Sequence, residues 1–290
     1  MTARVVALGS GDAFCSGGRG HTSWLIDDAP EAPATAGGAV GGAGGLALVD
    51  AGATVLSSLW RAGIDPERID AVHLTHLHGD HIAGWPFLLI DGYFRSKRTR
   101  PLLATGPPGT GEGLKKLFEA CYADAAERSP PFAIEVQELA PGESATVCGR
   151  RVLALRAQHM RAPHVALSLR IEEAFGTLAF TGDTGAHEGL VALSRGASVL
   201  FAECTDLHAP AAGAGEPSAS SDYPPEAGRR HLSWDELRPL LPRLGVRRVV
   251  LGHLSSAVRA ARERIVLEAR ALDVELAVCD DLDSFDLALP

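Results

Sequence analysis

The segment THLHGDH, residues 75–81, constrains this chain more than any other part of its sequence. It follows the apolar run AVHLT, which predicts a buried strand. Neutral imidazole and carboxylate groups are ligands for zinc, manganese or iron. The four candidate ligands are His76, His78, Asp80 and His81. They are too crowded for one ion with an open coordination position, so the segment predicts half of a two-metal site. Gly79 is expected to let the chain turn sharply between the two pairs of ligands.

A second set of ligands is required, because a histidine-rich surface loop would explain the segment alone equally well. Three candidates follow apolar runs that predict strands. His159 ends RVLALRAQH, Asp183 ends TLAFTGD and His253 ends RVVLGH. Strand ends hold side chains in fixed positions, so these residues are suited to complete the site. His164 is an alternative to His159. We favour His159 because it directly ends its predicted strand. His164 is then a candidate for contact with substrate.

Two further histidines are assigned outside the ligand set. His73 lies inside the predicted strand AVHLT, where a core position or support of a ligand is expected. His21 follows the Gly-rich turn GSGDAFCSGGRG, which lacks the Lys-Ser/Thr ending of a phosphate-binding loop. A structural role is expected for His21, with a substrate contact as the alternative.

Predicted strands and helices alternate along the 290 residues, which predicts an α/β fold of layered sheets with outer helices. We predict a single domain over residues 1–290. Two segments rich in Ala, Gly and Pro, near 28–45 and 209–229, are predicted as flexible loops. SWDELRPLLPRLG predicts a helix capped by Ser233 with Glu236 three residues on. SAVRAARERIVLEARAL predicts one amphipathic helix.

Charge and cysteine content indicate which partners and which cellular compartment to expect. The formal net charge of -9 disfavours large nucleic acid as a partner. The basic segment FRSKRTR, residues 94–100, is interpreted as a solvated loop. Five widely spaced cysteines without a CxxC motif indicate free thiols in a reducing compartment. Neither a signal-peptide core nor an apolar run of membrane-spanning length is found, so we expect a cytoplasmic protein without a membrane partner.

Together with the later ligands, THLHGDH resembles the HxHxDH signature of the metallo-β-lactamase superfamily. The likeness covers nearly the whole chain, from LGSGDAF to VVLGHLSS. The segments ALSLRIE, LAFTGDT, FAECT and HLSWDEL are similar to the branch that contains tRNase Z and related phosphodiesterases. The resemblance implies a four-layer αββα fold, in which two packed mixed sheets carry helices on their outer faces. It also implies a homodimer, which relatives commonly form.

The resemblance further implies a role for each candidate residue. The first metal ion would be bound by His76, His78 and His159. The second would be bound by Asp80, His81 and His253. Asp183 would bridge the two ions, and a hydroxide between them would be the nucleophile. Asp80 would also orient this nucleophile or take its proton, and His231 in RRHLSW would be general acid or oxyanion stabiliser. The implied cofactors are two divalent ions, zinc first, with manganese or iron as alternatives.

The chain departs from the tRNase Z pattern in one respect. No long, basic, Gly-rich arm lies between Asp183 and His231, or between Gly106 and His159. With the acidic total charge, this favours a small or nucleotide phosphodiester over tRNA as the substrate. The alternative is a hydrolase of carboxylic esters, lactones or thioesters, since acyl hydrolysis does not require His231 in this role. A tRNA 3′-end endonuclease and a non-catalytic binding protein are less favoured.

Overall fold

The computed structural model describes residues 3–28, 45–209 and 230–287. The two segments predicted as flexible loops lie almost entirely outside these ranges, at 29–44 and 210–229, so that prediction is not tested. No helix in the described ranges is long and apolar enough to cross a membrane.

Two seven-stranded sheets form the centre of the described structure. In chain order the strands are β1 Arg4–Gly9, β2 Ser23–Asp27, β3 Leu46–Val49, β4 Ile69–His73, β5 Leu102–Gly106, β6 Ile134–Glu138, β7 Ser144–Val147, β8 Arg150–Arg156, β9 Leu167–Glu173, β10 Gly176–Phe180, β11 Val199–Glu203, β12 Arg248–Gly252, β13 Glu275–Val278 and β14 Ser284–Asp286. The first sheet has the order β14-β1-β2-β3-β4-β5-β6 and the second β13-β12-β11-β10-β9-β8-β7. Both sheets are mixed, because β3 to β6 pair in parallel, as do β10 to β13, while the other neighbours are antiparallel.

Helices cover the outer faces of both sheets. In the described ranges they are α1 Val55–Arg61, α2 Gly79–Ile82, α3 Trp85–Ile90, α4 Thr110–Cys121, α5 Ala123–Ala126, α6 Gly189–Ser194, α7 Trp234–Leu240, α8 Ser256–Ala260 and α9 Arg262–Arg270. A π-helical turn, Asp91–Arg95, follows α3, and 3-10 turns occupy Ser16–Gly18, Pro66–Arg68 and Leu241–Arg243.

In the described part of the chain, three hydrophobic clusters lie between the layers. The central cluster joins the inner faces of the sheets, where Trp24 of the first sheet meets Phe201 of the second at a ring-centroid distance of 4.9 Å. A second cluster packs α1, α3 and α4 against the first sheet, and a third packs α6, α7 and α9 against the second. Helix, sheet, sheet and helix therefore follow one another, which confirms the predicted αββα architecture.

The structure departs from the predicted elements where local geometry breaks a helix. The predicted helix SAVRAARERIVLEARAL is two helices, because Ala261 leaves helical geometry at φ -91° and ψ 6°. The predicted capping box of α7 is present, with Ser233 and Glu236 bonded to each other's backbone. Several elements were not predicted from the sequence. They include the helices α3, whose residues WPFLLI are uniformly apolar, and α6, and the strands β6, which is largely exposed, β7, β13 and β14.

Candidate metal centre

Loops that leave the ends of four strands bring seven predicted residues together. The loop after β4 carries the motif, and the loops after β8, β10 and β12 carry one residue each. We name His76, His78 and His159 the histidine cluster. We name Asp80, His81, Asp183 and His253 the mixed cluster. Within each cluster, one potential ligand atom from every residue lies within 4.8 Å of the others.

The histidine cluster is a set of three imidazoles that face one point. His78 Nδ1 lies 3.0 Å from His76 Nε2 and 2.9 Å from His159 Nε2. Burial lowers the pKa of each imidazole, well below the ordinary value for His76 and to about 4 for His159. The three rings are therefore neutral at pH 7 and offer nitrogen lone pairs to a cation.

The mixed cluster pairs two imidazoles with two carboxylates. His81 Nε2 and His253 Nε2 each lie 3.3 Å from Asp80 Oδ2. They lie 3.4 Å and 3.3 Å from Asp183 Oδ2. Burial alone would lower the pKa of His81, but Asp183 and Asp50 outweigh it and raise this pKa well above its usual value. Without a metal ion, protonated imidazoles balance the carboxylates, so metal binding here displaces protons.

Asp183 faces both clusters with one oxygen. Its Oδ2 lies 3.8 Å from His76 Nε2 and 3.8 Å from His159 Nε2, in addition to its contacts in the mixed cluster. Burial would raise the pKa of Asp183, but the imidazoles of His253 and His81 hold it well below its usual range. A buried carboxylate that stays ionised between two sets of ligands is suited to bridge two cations.

Two observations test whether a divalent ion fits these residues. Two ligands about 2.1 Å from one ion at a tetrahedral angle lie about 3.4 Å apart. The nitrogen-to-oxygen distances of 3.3–3.4 Å in the mixed cluster match that separation. In addition, His81 Nε2 is buried and, among the described residues, forms no well-aligned hydrogen bond, although two carboxylate oxygens lie within 3.4 Å. A metal ion among these groups would satisfy the nitrogen and both carboxylates together.

Contacts behind the clusters fix which nitrogen each ring presents. His81 Nδ1 donates to Asp50 Oδ2 at 2.8 Å, and the backbone N–H of Thr75 donates to Asp50 Oδ1 at 2.8 Å. His159 Nδ1 donates to the carbonyl of Arg230 at 3.0 Å. Such outer contacts on Nδ1 direct Nε2 toward the centre, where a metal ion can bind it once any proton on Nε2 is displaced. Asp50 follows β3 in LALVD, the same strand-end position as the predicted ligands, but it was not among the predicted residues.

A dyad of Glu203 and His231 borders the centre. His231 Nδ1 lies 3.1 Å from Glu203 Oε2 and 3.8 Å from Asp183 Oδ2. Thr205 Oγ1 also donates to Glu203 Oε2, at 2.8 Å. Burial alone would lower the pKa of His231, but the Glu203 carboxylate raises it to about 9. The His231 side chain is 30% exposed, whereas those of Asp183 and Glu203 are almost fully buried. His231 was predicted, but Glu203, which ends the strand β11, was not.

Close packing, rather than a special turn at Gly79, positions the ligand loops. Gly79 begins α2 without a left-handed φ, and an added Cβ would meet open space, so the predicted role of this glycine is wrong. The extended backbone of His78 followed by the first turn of α2 separates the two pairs of ligands. Gly182 is different. Its φ is +58° and a Cβ there would lie 2.6 Å from the Leu167 carbonyl oxygen, so the approach to Asp183 requires glycine.

The remaining predicted histidines lie outside both clusters. His159, rather than His164, enters the histidine cluster, and His164 is exposed. His73 is fully buried and its Nδ1 lies 2.9 Å from Thr105 Oγ1, as expected for a core residue. His21 is half-buried, with Nε2 3.2 Å from Cys15 Sγ. A Cβ on Gly52 would lie 2.5 Å from both His21 Cβ and the Asp80 carbonyl oxygen, so His21 lies beside the mixed cluster.

The basic segment 94–100 is engaged in local ion pairs. Arg95 pairs with Asp65, and Arg100 pairs with Asp70 at 2.7 Å. Arg98 is buried, and its Nη1 donates to the carbonyl of Glu67 at 2.7 Å. These arginines do not form the solvated loop that the sequence analysis expected, because neighbouring carboxylates and carbonyls hold them.

Comparisons with known proteins agree with the two-sheet fold and with the motif that carries the candidate ligands. A family model described as "Beta-lactamase superfamily domain" matches residues 47–254. The chain is 28% identical to Ribonuclease Z of Methanothermobacter thermautotrophicus, over 96% of this chain and 94% of that protein. The structure of human tRNase Z, short form, aligns with a TM-score of 0.68 at 21% identity, covering 99% of this chain and 100% of that one. A diphosphatase from the PhnP family aligns with a TM-score of 0.68 at 18% identity, covering 98% and 97%.

The matched range contains every residue of both clusters together with Glu203 and His231. It spans well over half of the chain, and the two-sheet architecture agrees with that of the structural neighbours. The chain therefore belongs to the metallo-β-lactamase superfamily, as the THLHGDH motif predicted.

Proposed function

We propose that the protein is a dinuclear metal-dependent phosphodiesterase acting on a small or nucleotide phosphodiester. The observation that carries this proposal is the Glu203–His231 dyad beside the mixed cluster. A phosphodiester expels an alkoxide, which leaves far more easily when it receives a proton. An imidazole whose pKa is raised to about 9 holds that proton at pH 7.

The position of each residue in the centre indicates its role in the proposed reaction. The histidine cluster would hold one divalent ion and the mixed cluster a second, with Asp183 shared between them. When bound, the ions lower the pKa of a bound water and neutralise charge on phosphoryl oxygens. Asp80, whose carboxylate is nearly buried, orients the attacking water or accepts its proton. His231 donates a proton to the leaving oxygen, and Glu203 holds the ring in place.

Several features favour a small substrate over a large RNA. The net charge is -9, and the arginines of the segment 94–100 are held by local partners. A protein that binds a long RNA needs unpaired cationic side chains along the path of the RNA phosphate backbone. The similarity to Ribonuclease Z supports phosphodiester chemistry, and zinc is the first candidate ion, with manganese or iron as alternatives.

Leaving-group dependence tests the dyad. We expect the zinc- or manganese-loaded protein to hydrolyse both bis-p-nitrophenyl phosphate and a dinucleotide. His231→Ala should lower kcat for the dinucleotide by about 10²–10⁴-fold, the usual contribution of general acid catalysis. It should affect bis-p-nitrophenyl phosphate much less, because p-nitrophenolate departs without protonation. His208→Ala, at an exposed histidine, is the matched control.

Two results would contradict the proposal. One is the absence of phosphodiester hydrolysis by protein shown to contain two metal ions. The other is an equal effect of His231→Ala on both leaving groups. Turnover of a lactone, ester or thioester that His231→Ala leaves intact would favour the acyl hydrolase alternative.

A further inference from the structure

A cavity of about 480 Å³ lies beside the loop that joins β1 to β2. Arg19 and Arg259 line it, together with Ser256, Asp280 and Asp281. A cavity of this volume accommodates a small ligand. None of these residues belongs to the histidine cluster, the mixed cluster or the Glu203–His231 dyad, so the proposed reaction does not explain the cavity.

The carboxylates of the cavity are already engaged. Asp280 accepts from Arg19 Nε at 3.2 Å and from Arg262 Nη1 at 3.2 Å, and it also pairs with Arg259. Asp281 Oδ1 accepts from the backbone N–H and the hydroxyl of Ser10, at 2.9 Å and 2.8 Å. Its Oδ2 accepts from the N–H of Gly20 at 2.8 Å. Three guanidinium groups thus share one carboxylate, Asp280.

The guanidinium groups, in contrast, retain donors. A guanidinium carries five N–H donors in a planar fork. Arg19 is 93% buried, since its side chain is 7% exposed, yet its Nη1 makes no hydrogen bond to any residue in the described ranges. Burial, followed by the neighbouring cations Arg19 and Arg262, lowers the pKa of Arg259, while the carboxylates of Asp281 and Asp283 oppose this shift. A buried cation with an unused donor is costly, and a ligand that reached Arg19 from the cavity would satisfy it.

The loop that joins β1 to β2 lies between the cavity and the metal centre. Ser256 follows His253 by three residues, and Leu254 N donates to the Ser10 carbonyl at 2.9 Å. The loop is held by Asp12, which accepts from the N–H groups of Phe14 and Ser16 at 3.1 Å and 3.0 Å. His21, near the end of this loop, contacts Cys15 within the loop and lies beside Asp80 of the mixed cluster.

We propose that this cavity is a second anion site, which binds a phosphoryl group through Arg19 and Arg259. Arginine is suited to it because its fork matches two phosphate oxygens. The phosphoryl group is either free phosphate or a second phosphate group on the substrate. The second possibility rests on the proposed function.

Titration of sodium phosphate into the metal-loaded protein tests the site. The test variant is Arg259→Gln, because Arg259 is 39% exposed whereas loss of the buried Arg19 would endanger folding. The matched control is Arg262→Gln, which also pairs with Asp280 but does not line the cavity. All three proteins keep the metal centre, so the difference between them isolates the cavity.

We expect Arg259→Gln to weaken one phosphate-binding event by at least about tenfold, as loss of a charge-assisted hydrogen bond does. Arg262→Gln should change it by less than about threefold. Equal phosphate binding by Arg259→Gln and the unmodified protein would overturn the proposal, as would an equal loss in Arg262→Gln.

Kinetics with two dinucleotides, one bearing a 5′-phosphate and one lacking it, distinguish the two sources of phosphate. If the substrate supplies the phosphate, Arg259→Gln raises KM for the phosphorylated dinucleotide alone. If free phosphate is the ligand, both KM values stay unchanged while the titration still shows the loss. Should neither dinucleotide be hydrolysed, the proposed function fails, and the phosphate titration still decides the cavity.

Discussion

The two sheets supply the candidate centre in different ways. The first sheet contributes four ligands from one short segment after β4, supported by Asp50 after β3. The second sheet contributes His159, Asp183 and His253 from three separate strand ends, and Glu203 from a fourth. The first contribution is local in sequence, whereas the second depends on the order of strands in the sheet. The residue that joins both clusters, Asp183, comes from the second sheet.

The largest expected effect comes from removing the Asp183 carboxylate, which faces both clusters. Asp183→Asn removes the charge that faces both clusters, so we expect loss of bound metal and a fall in phosphodiester hydrolysis above about 10⁴-fold, more than general acid catalysis alone supplies. Elemental analysis and turnover of bis-p-nitrophenyl phosphate on one sample measure both effects. Asp124→Asn, at an exposed position, is the control. Retention of two metal ions and full activity would show that the sheets supply independent sites.

A smaller effect is expected from the support that the first sheet gives its own ligands. Asp50→Asn weakens the hydrogen bond that orients His81, so we expect metal affinity or activity to fall by about 10–100-fold. Because Asp50 contacts the mixed cluster through His81, the loss should affect one metal ion of the two. Metal titration with competition by a chelator measures it. Asp65→Asn, at a half-exposed aspartate that pairs with Arg95, should leave both affinities unchanged.

The same contrast explains what could be predicted from the sequence. The four motif residues were found because their spacing is local, and His159, Asp183 and His253 because each ends an apolar strand. Glu203 and Asp50 also end such strands, in SVLFAEC and LALVD, so the same sequence position points to both, although neither was predicted. The contact between Glu203 and His231 joins residues 28 apart, and only the path of the chain determines it. The Arg19 cavity is harder still, because residues from both ends of the chain form it.

The smallest expected effect concerns the pH dependence of stability, to which the first sheet contributes through His73. Burial lowers the pKa of His73 to about 3, and the ordinary value of an unfolded histidine is about 6.5. As the pH falls below 6.5, the unfolded chain binds a proton that the folded chain refuses. The stability contributed by neutral His73 is therefore complete above pH 6.5 and is lost toward pH 3, by about 1.4 kcal/mol per pH unit.

His73→Gln should remove this dependence, so that between pH 6.5 and 5 the free energy of unfolding falls by about 2 kcal/mol less than in the unmodified protein. Urea denaturation of metal-free protein at several pH values measures the slope, and the buried histidines of the clusters contribute equally to both proteins. His208→Gln, at an exposed position, should leave the slope unchanged. An unaltered slope in His73→Gln would show that the acid sensitivity of the fold comes from the ligand histidines of the two clusters alone.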